Sequence, residues 1–314
     1  MSKRLPRGKY LLIPAAILCA VSYYWYARID AVSRLRDAGA SVLSTRGVPG
    51  DGRFLTLEPA FYGVDIVFLH QANVDSSIVS ALATLSEMKR ISLNGTTIAG
   101  EEMTRILETH QLTDLIAEDS TLGDEFLAAV EKDSSLEVIA LKGTRVTDVG
   151  ITLLKHCPEL QLLDLGKTAV TDEGLAALGH LALLDLRIQD TAVTDRGLDA
   201  LKLAEIRGLD ISRTAVSAAG EWPRRMPLLA RLNVSFSDVP PGRIEQFVAH
   251  RQLEVLHVDA SQVGQWLFEL DEKVLPSQIE ISGTTQQLAD VGRLLVAAGR
   301  GMMLTNRQIQ FDEL

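Results

Sequence analysis

The sequence contains little cysteine and few aromatic residues. Only two cysteines occur among 314 residues, and aromatic residues make up 5% of the chain although 46% of it is hydrophobic. Cys19 lies in an uncharged N-terminal run and Cys157 lies far from it, so the two form no disulfide framework. These absences exclude a small disulfide-stapled domain and predict one large core built from aliphatic side chains.

Catalytic motifs are absent as well. The chain has no His-Glu-x-x-His, Gly-x-Ser-x-Gly or Cys-x-x-Cys sequence. Gly166-Lys167-Thr168 is similar to the end of a phosphate-binding loop, but such a loop needs a glycine at position 161, which is glutamine. Four residues of metal-ligating type lack the short spacing of a metal site: Asp210, His257, Asp259 and Glu280. We therefore predict a protein that is not an enzyme and holds no cofactor and no metal.

The chain has fewer basic than acidic residues, with 31 Lys and Arg against 41 Asp and Glu, and its net charge is −10. An acidic surface repels the phosphates of nucleic acids and anionic lipid headgroups, so we expect no nucleic-acid partner. The exception is the extreme N-terminus, where residues 1–9 carry Lys3, Arg4, Arg7 and Lys9 and no acid.

An uncharged run covers residues 10–27 and ends in Tyr23-Tyr24-Trp25-Tyr26. A helical span needs about 20 residues, and aromatic side chains are typical of the membrane–water interface. Because positive charge precedes the run, we expect a single-pass anchor with residues 1–9 in the cytoplasm and the repeats exported to the periplasm or cell exterior. The alternatives are a signal peptide, with its apolar region at 11–18 and cleavage near Ala20-Val21-Ser22, and a buried helix.

Apolar residues return every 23 or 24 positions, ten times. We call these residues the anchors: Val67, Ile91, Leu115, Ile139, Leu163, Leu186, Leu209, Leu232, Leu256 and Ile279. A second apolar residue follows two positions later in all ten repeats, which predicts a short strand with one buried face. A fixed period of this length predicts a solenoid, an architecture that usually provides a binding surface.

A hydroxyl lies five positions after the anchor in nine of the ten repeats. We call these residues the hydroxyl ladder: Thr96, Ser120, Thr144, Thr168, Thr191, Thr214, Ser237, Ser261 and Thr284. The chain turns inward here and would bury unpaired backbone groups, so we expect the hydroxyls to pair with them. Three repeats then read Thr-Asp-x-Gly, at 147–150, 171–174 and 194–197. Thr is a good N-cap and Asp favours a helix N-terminus, so each repeat reads strand, turn and capped helix.

Two segments carry all of these columns together, LEVIALKGTRVTDVGITLL at 136–154 and LQLLDLGKTAVTDEGLAAL at 160–178. They resemble leucine-rich repeats of the subtype with Thr or Cys in the ladder, as in bacterial membrane-anchored leucine-rich-repeat proteins and eukaryotic F-box receptors. The resemblance covers about residues 60–290, with departures at Ala72, Ala117, Pro240-Pro241 and Gln286. It implies an α/β horseshoe with a parallel concave sheet and convex helices.

The repeat region, 59–286, requires a cap at each end of its core. In residues 28–58, Ile29, Val32 and Leu35 follow helical spacing and Gly39 is a helix stop. Short strands are predicted at 41–45 and 53–57, around a turn at 48–52. We therefore predict a linker and N-terminal cap at 28–58 and a C-terminal cap at 287–314.

The residue after each anchor points away from the core, and this outward column changes character along the chain. Its first four members are apolar or small, including Phe68 and Ile116, and its last six are polar. Together with outward neighbours, the predicted partner-binding residues are Asp164, Asp185, Arg187, Gln189, Asp210, Arg231, Asn233, His257, Asp259 and Glu280. We expect a protein partner, with a glycan as the alternative, to dock here.

Two other functions remain open at this stage. Phe68 and Ile116 could pack on a second subunit, which would make the chain a self-associating envelope scaffold. The likeness to F-box receptors would instead fit a soluble adaptor, although the sequence has no F-box-like segment.

Overall fold

A computed structural model describes residues 15–43, 64–130, 135–250, 253–269, 275–298 and 309–313. Their strands in chain order are β1 (Ser41–Leu43), β2 (Ile66–Phe68), β3 (Asn73–Val74), β4 (Arg90–Ser92), β5 (Thr97–Ile98), β6 (Asp114–Ile116), β7 (Val138–Ala140), β8 (Leu162–Asp164), β9 (Asp185–Arg187), β10 (Gly208–Asp210), β11 (Arg231–Asn233), β12 (Val255–Asp259), β13 (Gln278–Gly283) and β14 (Ile309–Glu313). Twelve of them form one sheet, and β3 pairs with β5 beside it.

The large sheet follows chain order, and every neighbouring pair in it is parallel except β1 with β2. The ten anchors lie directly opposite one another, from Val67 beside Ile91 to Leu256 beside Ile279. Each anchor is almost fully buried. Burying a Val, Leu or Ile side chain stabilises by about 1.5–3 kcal/mol, so this single row is a major part of the core. The fold is therefore mixed α/β and solenoid-like.

A layer of helices, most of them short, covers the other side of the core. The helices are α1 (Ala15–Asp37), α2 (Ser76–Ala83), α3 (Gly100–Thr109), α4 (Leu127–Val130), α5 (Asp148–Ile151), α6 (Asp172–Ala177), α7 (Asp195–Asp199), α8 (Pro241–His250), α9 (Trp266–Glu269) and α10 (Thr285–Ala297), with 3₁₀ turns at Thr152–His156 and Trp222–Arg225. Each repeat buries apolar helix residues against the strands, for example Ile151, Leu175 and Leu198.

The inward turn after each strand passes through a left-handed residue. Eight repeats have a positive φ between 52° and 70° four positions after the anchor, at Gln71, Gly95, Asp119, Gly143, Lys167, Asp190, Arg213 and Phe236. Only two of these residues are glycine, although a left-handed conformation costs other residues about 1–2 kcal/mol. The stacked strands and turns must hold the remaining six in place.

Helix α1 runs without a break across the predicted boundary at 27/28. Val32 and Leu35 are buried, whereas Ile29 is 42% exposed. Arg28 takes the inward position instead, pairing with Glu87 at 2.9 Å. The helix ends as Gly39 predicts. Gly39 has a φ of +84°, and the Ala40 N–H donates to the Leu35 carbonyl.

Parts of the predicted ends lie outside the described residues, namely 1–14, the turn at 48–52, the strand at 53–57, and residues 299–308 and 314 of the C-terminal cap. The first part of the strand predicted at 41–45 is present as β1, which pairs antiparallel with β2, and residues 44–45 lie outside the described part of the chain. Among the helices described, none is both long enough and apolar enough to cross a membrane. At the other end, β14 adds a parallel strand that the period does not predict, with Ile309 opposite Ile279.

Candidate functional site

The polar half of the outward column forms a continuous row across six strands. Asp164, Arg187, Asp210, Asn233, His257 and Glu280 are successive partners in the register of β8 to β13. A second outward row places Asp185, Gly208 and Arg231 side by side. We call the six residues of the first row, with Asp185 and Arg231, the polar strand face.

The centre of the polar strand face is a carboxylate held between two arginines. Asp185 is buried and accepts from Arg187 Nε at 3.0 Å and from Arg231 Nη2 at 2.8 Å. Arg231 reaches it across β10, because Gly208 lies between them. A Cβ on Gly208 would lie 2.1 Å from Asp185 Oδ2 and 3.0 Å from Arg231 Nη2. Glycine thus creates the pairing, together with a shallow depression of about 180 Å³.

Both arginines stay half exposed while their partners do not. The side chains of Arg187 and Arg231 are 45% and 54% exposed, against 10% for Asp185. A guanidinium has five N–H donors in a rigid fork. The contact with Asp185 uses only Nε of Arg187 and Nη2 of Arg231. The arrangement therefore fixes two cations in position while leaving donors for an acidic or carbonyl group of a partner.

Asp164 lies at the buried end of the first row, with a side chain only 4% exposed and 3.8 Å from Arg187. Burial raises the pKa of its carboxyl, since it disfavours the charged form, and this outweighs the N–H of Gly166 and the charge of Arg187. Asp164 therefore lies beneath Arg187 rather than on the exposed surface.

We expect Asp164→Asn to stabilise the protein at neutral pH. The folded-state pKa is raised, so ionisation of Asp164 opposes folding as pH rises through that pKa. Asn keeps an oxygen for the Gly166 N–H and removes the charge. The gain in the free energy of unfolding should shrink as pH falls through the pKa of Asp164, which urea titrations at several pH values would measure. An equal gain at all pH values would contradict this.

The far half of the row is held by neighbours on the same sheet. Asp210 accepts from Ser212 Oγ at 2.7 Å and from Asn233 Nδ2 at 3.0 Å. His257 Nδ1 lies 2.8 Å from Glu280 Oε2. These contacts fix the side chains in one geometry before any partner arrives.

Two predicted binding residues have structural contacts: Asp259 is the last residue of β12, and Gln189 lies two residues beyond the end of β9. Asp259 is buried and accepts from the N–H groups of Phe236 and Ser261 at 2.8 and 2.7 Å. Gln189 packs against Gly166, where a Cβ would lie 2.3 Å from its amide carbon. Asp259 therefore stabilises the turns between repeats, whereas Gln189 fills the space beside Gly166.

The hydroxyl ladder pairs with the backbone of its own repeat. Seven of its nine members donate to the carbonyl three residues earlier at 2.6–2.8 Å: Thr96, Ser120, Thr144, Thr168, Thr191, Thr214 and Ser237. Ser261 donates to Asp259 instead, and Thr284 caps α10 in a capping box with Gln287.

Sequence reasoning missed a second ladder, made of aspartates that join consecutive repeats. Each accepts from the N–H and the hydroxyl of a residue in the next repeat: Asp124 from Thr147, Asp148 from Thr171, Asp172 from Thr194 and Asp195 from Ser217. The hydroxyl distances are 2.6–2.7 Å. Threonine caps its helix as predicted, but Asp bonds mainly to the following repeat. The regular recurrence of Asp at 124, 148, 172 and 195 was the available signal.

Within the described residues no group of three or more His, Cys, Asp or Glu could hold a metal ion.

Comparisons with known proteins add no family. No family model matches the chain, and no curated protein matches it. A crystal structure of a plant ice-binding protein is similar over 74% of this chain and 72% of its own, with 13% sequence identity and a TM-score of 0.39. That TM-score is too low for the likeness to bear on function.

Proposed function

We propose that the chain is a non-enzymatic leucine-rich-repeat protein that binds a protein partner through the polar strand face. The observation that carries this proposal is the pair of half-exposed arginines fixed by Asp185 across Gly208. The repeats support it, because stacked repeats of one period provide an extended surface for a partner.

The network around Asp185 favours binding over simple solvation. A solvated strand face needs only mobile charges in water, whereas here one carboxylate is buried and paired twice. Ordering long side chains costs conformational entropy at binding, about 0.5–1.5 kcal/mol for each immobilised side chain. Arg187 and Arg231 lose this conformational entropy when the protein folds. Binding of a partner to them therefore carries a smaller entropic penalty.

The charges also define the partner's chemistry. Acceptors on the partner would meet Arg187 and Arg231, and donors would meet Asp210 and Glu280. Such alternation gives specificity and register more than raw affinity. A protein surface with alternating acidic and basic side chains fits it.

We propose further that the polar strand face lies on the exported side of a membrane. Residues 10–27 would be the anchor, with residues 1–9 in the cytoplasm. Tyr23, Tyr24 and Tyr26 are exposed on α1, as expected of side chains that meet the membrane–water interface. The buried part of α1, at Val32 and Leu35, then joins the anchor to the repeats.

Proximity crosslinking in intact cells, followed by protease-accessibility mapping, would identify the partner and the topology. We expect the double variant Arg187→Glu with Asp210→Arg to weaken binding of that partner at least about tenfold, because both signs of the alternation are reversed. Arg187→Gln should weaken binding by a smaller factor than the double variant. It leaves the ion pair between Arg231 and Asp185 in place.

The matched control is Glu173→Arg with Arg196→Glu, which conserves net charge and reverses two exposed residues of the helix layer. It should bind as wild type. If the strand-face double variant binds the partner as tightly as this control, the polar strand face is not the docking surface.

A further inference from the structure

We infer that a cavity on the helix side of the repeats binds a small organic anion. The cavity measures about 550 Å³ and lies between the 3₁₀ turn Trp222–Arg225 and helix α8. This volume is within the range of small-molecule sites, about 300–1,000 Å³. It is lined by residues distinct from the polar strand face.

The cavity arises where the repeats stop being uniform. One repeat has a four-residue 3₁₀ turn in its helix position, and the next has the ten-residue α8. The short element cannot cover the long one, so space remains between them. Pro241 begins α8 and follows Pro240, and two consecutive prolines fix the entry of the chain into that helix.

Phe247, one of the residues that line the cavity, is backed by Trp222, which lies behind the lining. Trp222 is fully buried and stacks on Phe247 with 5.6 Å between ring centroids. Its indole N–H donates to Asp195 Oδ1 at 2.6 Å, and its backbone N–H donates to Asp199 Oδ1 at 2.6 Å. A ligand would therefore meet a preformed surface.

Arginines line both walls. Arg243 of α8 is half-buried and donates to the Gln246 amide oxygen at 3.1 Å, and it pairs with no carboxylate in the part of the chain that the structure describes. Arg224 on the opposite wall lies 3.3 Å from Glu221, and both of those side chains are largely exposed. The lining thus contains two guanidinium groups and one carboxylate, so Arg243 is left to pair with an anionic ligand. An arginine fork matches the oxygens of carboxylate and phosphate.

The lining also includes Gly220, Glu221 and Gln246, and its carbon surface defines the rest of the ligand. Ala219, Pro223 and Phe247 offer carbon surface beside the two arginines. The ligand class is therefore a carboxylate or phosphate group on a compact apolar body, rather than an inorganic anion. Its charged group would lie between Arg224 and Arg243.

Isothermal titration of the full-length protein with phenyl phosphate and with benzoate tests the inference, with inorganic phosphate and benzyl alcohol as comparison probes. We expect the better organic anion to bind with a dissociation constant of about 1 mM or tighter, corresponding to about −4 kcal/mol. Both comparison probes should bind at least about tenfold more weakly, since each lacks one of the two contacts.

Two variants locate the site. Arg243→Gln should weaken the organic anion at least about tenfold by removing a guanidinium. Ala219→Trp should abolish binding by filling the apolar side without changing charge. Arg196→Gln, on the exposed helix surface outside the cavity, should bind as wild type, and so should the strand-face double variant. The inference is overturned if neither organic anion binds, if Arg243→Gln or Ala219→Trp binds as wild type, or if inorganic phosphate binds equally well.

Discussion

Gly174→Ala is expected to destabilise the protein by about 2–4 kcal/mol, although glycine to alanine inside a helix normally gains about 1 kcal/mol. A Cβ at this position would lie 2.3 Å from Asp148 Oδ1 of the preceding repeat. Asp148 would have to move and would lose its bonds to the N–H and hydroxyl of Thr171. Hydrogen bonds to a charged group contribute about 1.5–3 kcal/mol each, so their loss outweighs the gain in helix propensity. Urea denaturation followed by circular dichroism measures the difference.

The control is Gly242→Ala in α8, where a Cβ would meet nothing within 4 Å. That change should stabilise, by up to about 1 kcal/mol. In an Asp148→Ala background, Gly174→Ala should lose most of its cost, because the atom it collides with is gone. If Gly174→Ala is as stable as Gly242→Ala, the aspartate ladder does not require glycine at this position.

Trp222→Ala should cost about 3–5 kcal/mol, the range for removing a buried tryptophan. The side chain is fully buried, and its N–H is bonded to Asp195. Trp222→Phe keeps most of the packing and removes the hydrogen bond, so its cost should be about 1–3 kcal/mol. Denaturation of both variants measures the two contributions. Equal costs for the two variants would show that packing on Phe247 contributes little.

The pH dependence separates the hydrogen bond from the packing. Burial opposes ionisation of Asp195, but bonds from Ser217 and Trp222 outweigh it and hold the pKa of that carboxyl below its usual value. A lowered folded-state pKa contributes stability above the unfolded-state pKa and loses it as pH falls through the folded-state pKa. The difference between wild type and Trp222→Phe should therefore narrow in acid. A difference that is constant with pH would contradict a contribution from the ionised carboxylate.

The sequence predicts those features that repeat with the chain's period. The anchors identify ten strands and their register, since a buried position must recur wherever the same core continues. The hydroxyl at the inward turn follows the same logic, and seven of nine hydroxyls donate to the backbone as the turn requires. Ser261 and Thr284 depart from this where the repeats themselves become irregular.

Features that depend on neighbouring repeats were harder to predict. Within its own repeat, Asp148 looks like an acidic residue that favours a helix N-terminus. Only the stacked structure shows its bond to Thr171 of the next repeat. Gly208 contributes by having no side chain, which no pattern of polar or apolar residues indicates. The cavity beside α8 depends on a difference between two repeats, and β14 follows an interval that breaks the period. Ile29 has helical spacing with Val32 but lies on the edge of the buried face, where Arg28 displaces it.

Helix α1 has a mechanical consequence. Its 23 residues span about 34 Å as one rod, at about 1.5 Å per residue. Arg28 pairs with Glu87 and Leu35 enters the core, so the helix is attached to the first repeats at two points along its length. An interaction that fixes the exposed tyrosines of α1 therefore determines the orientation of the whole sheet about the axis of this helix. Rotation of α1 about its own axis would therefore rotate the polar strand face through the same angle.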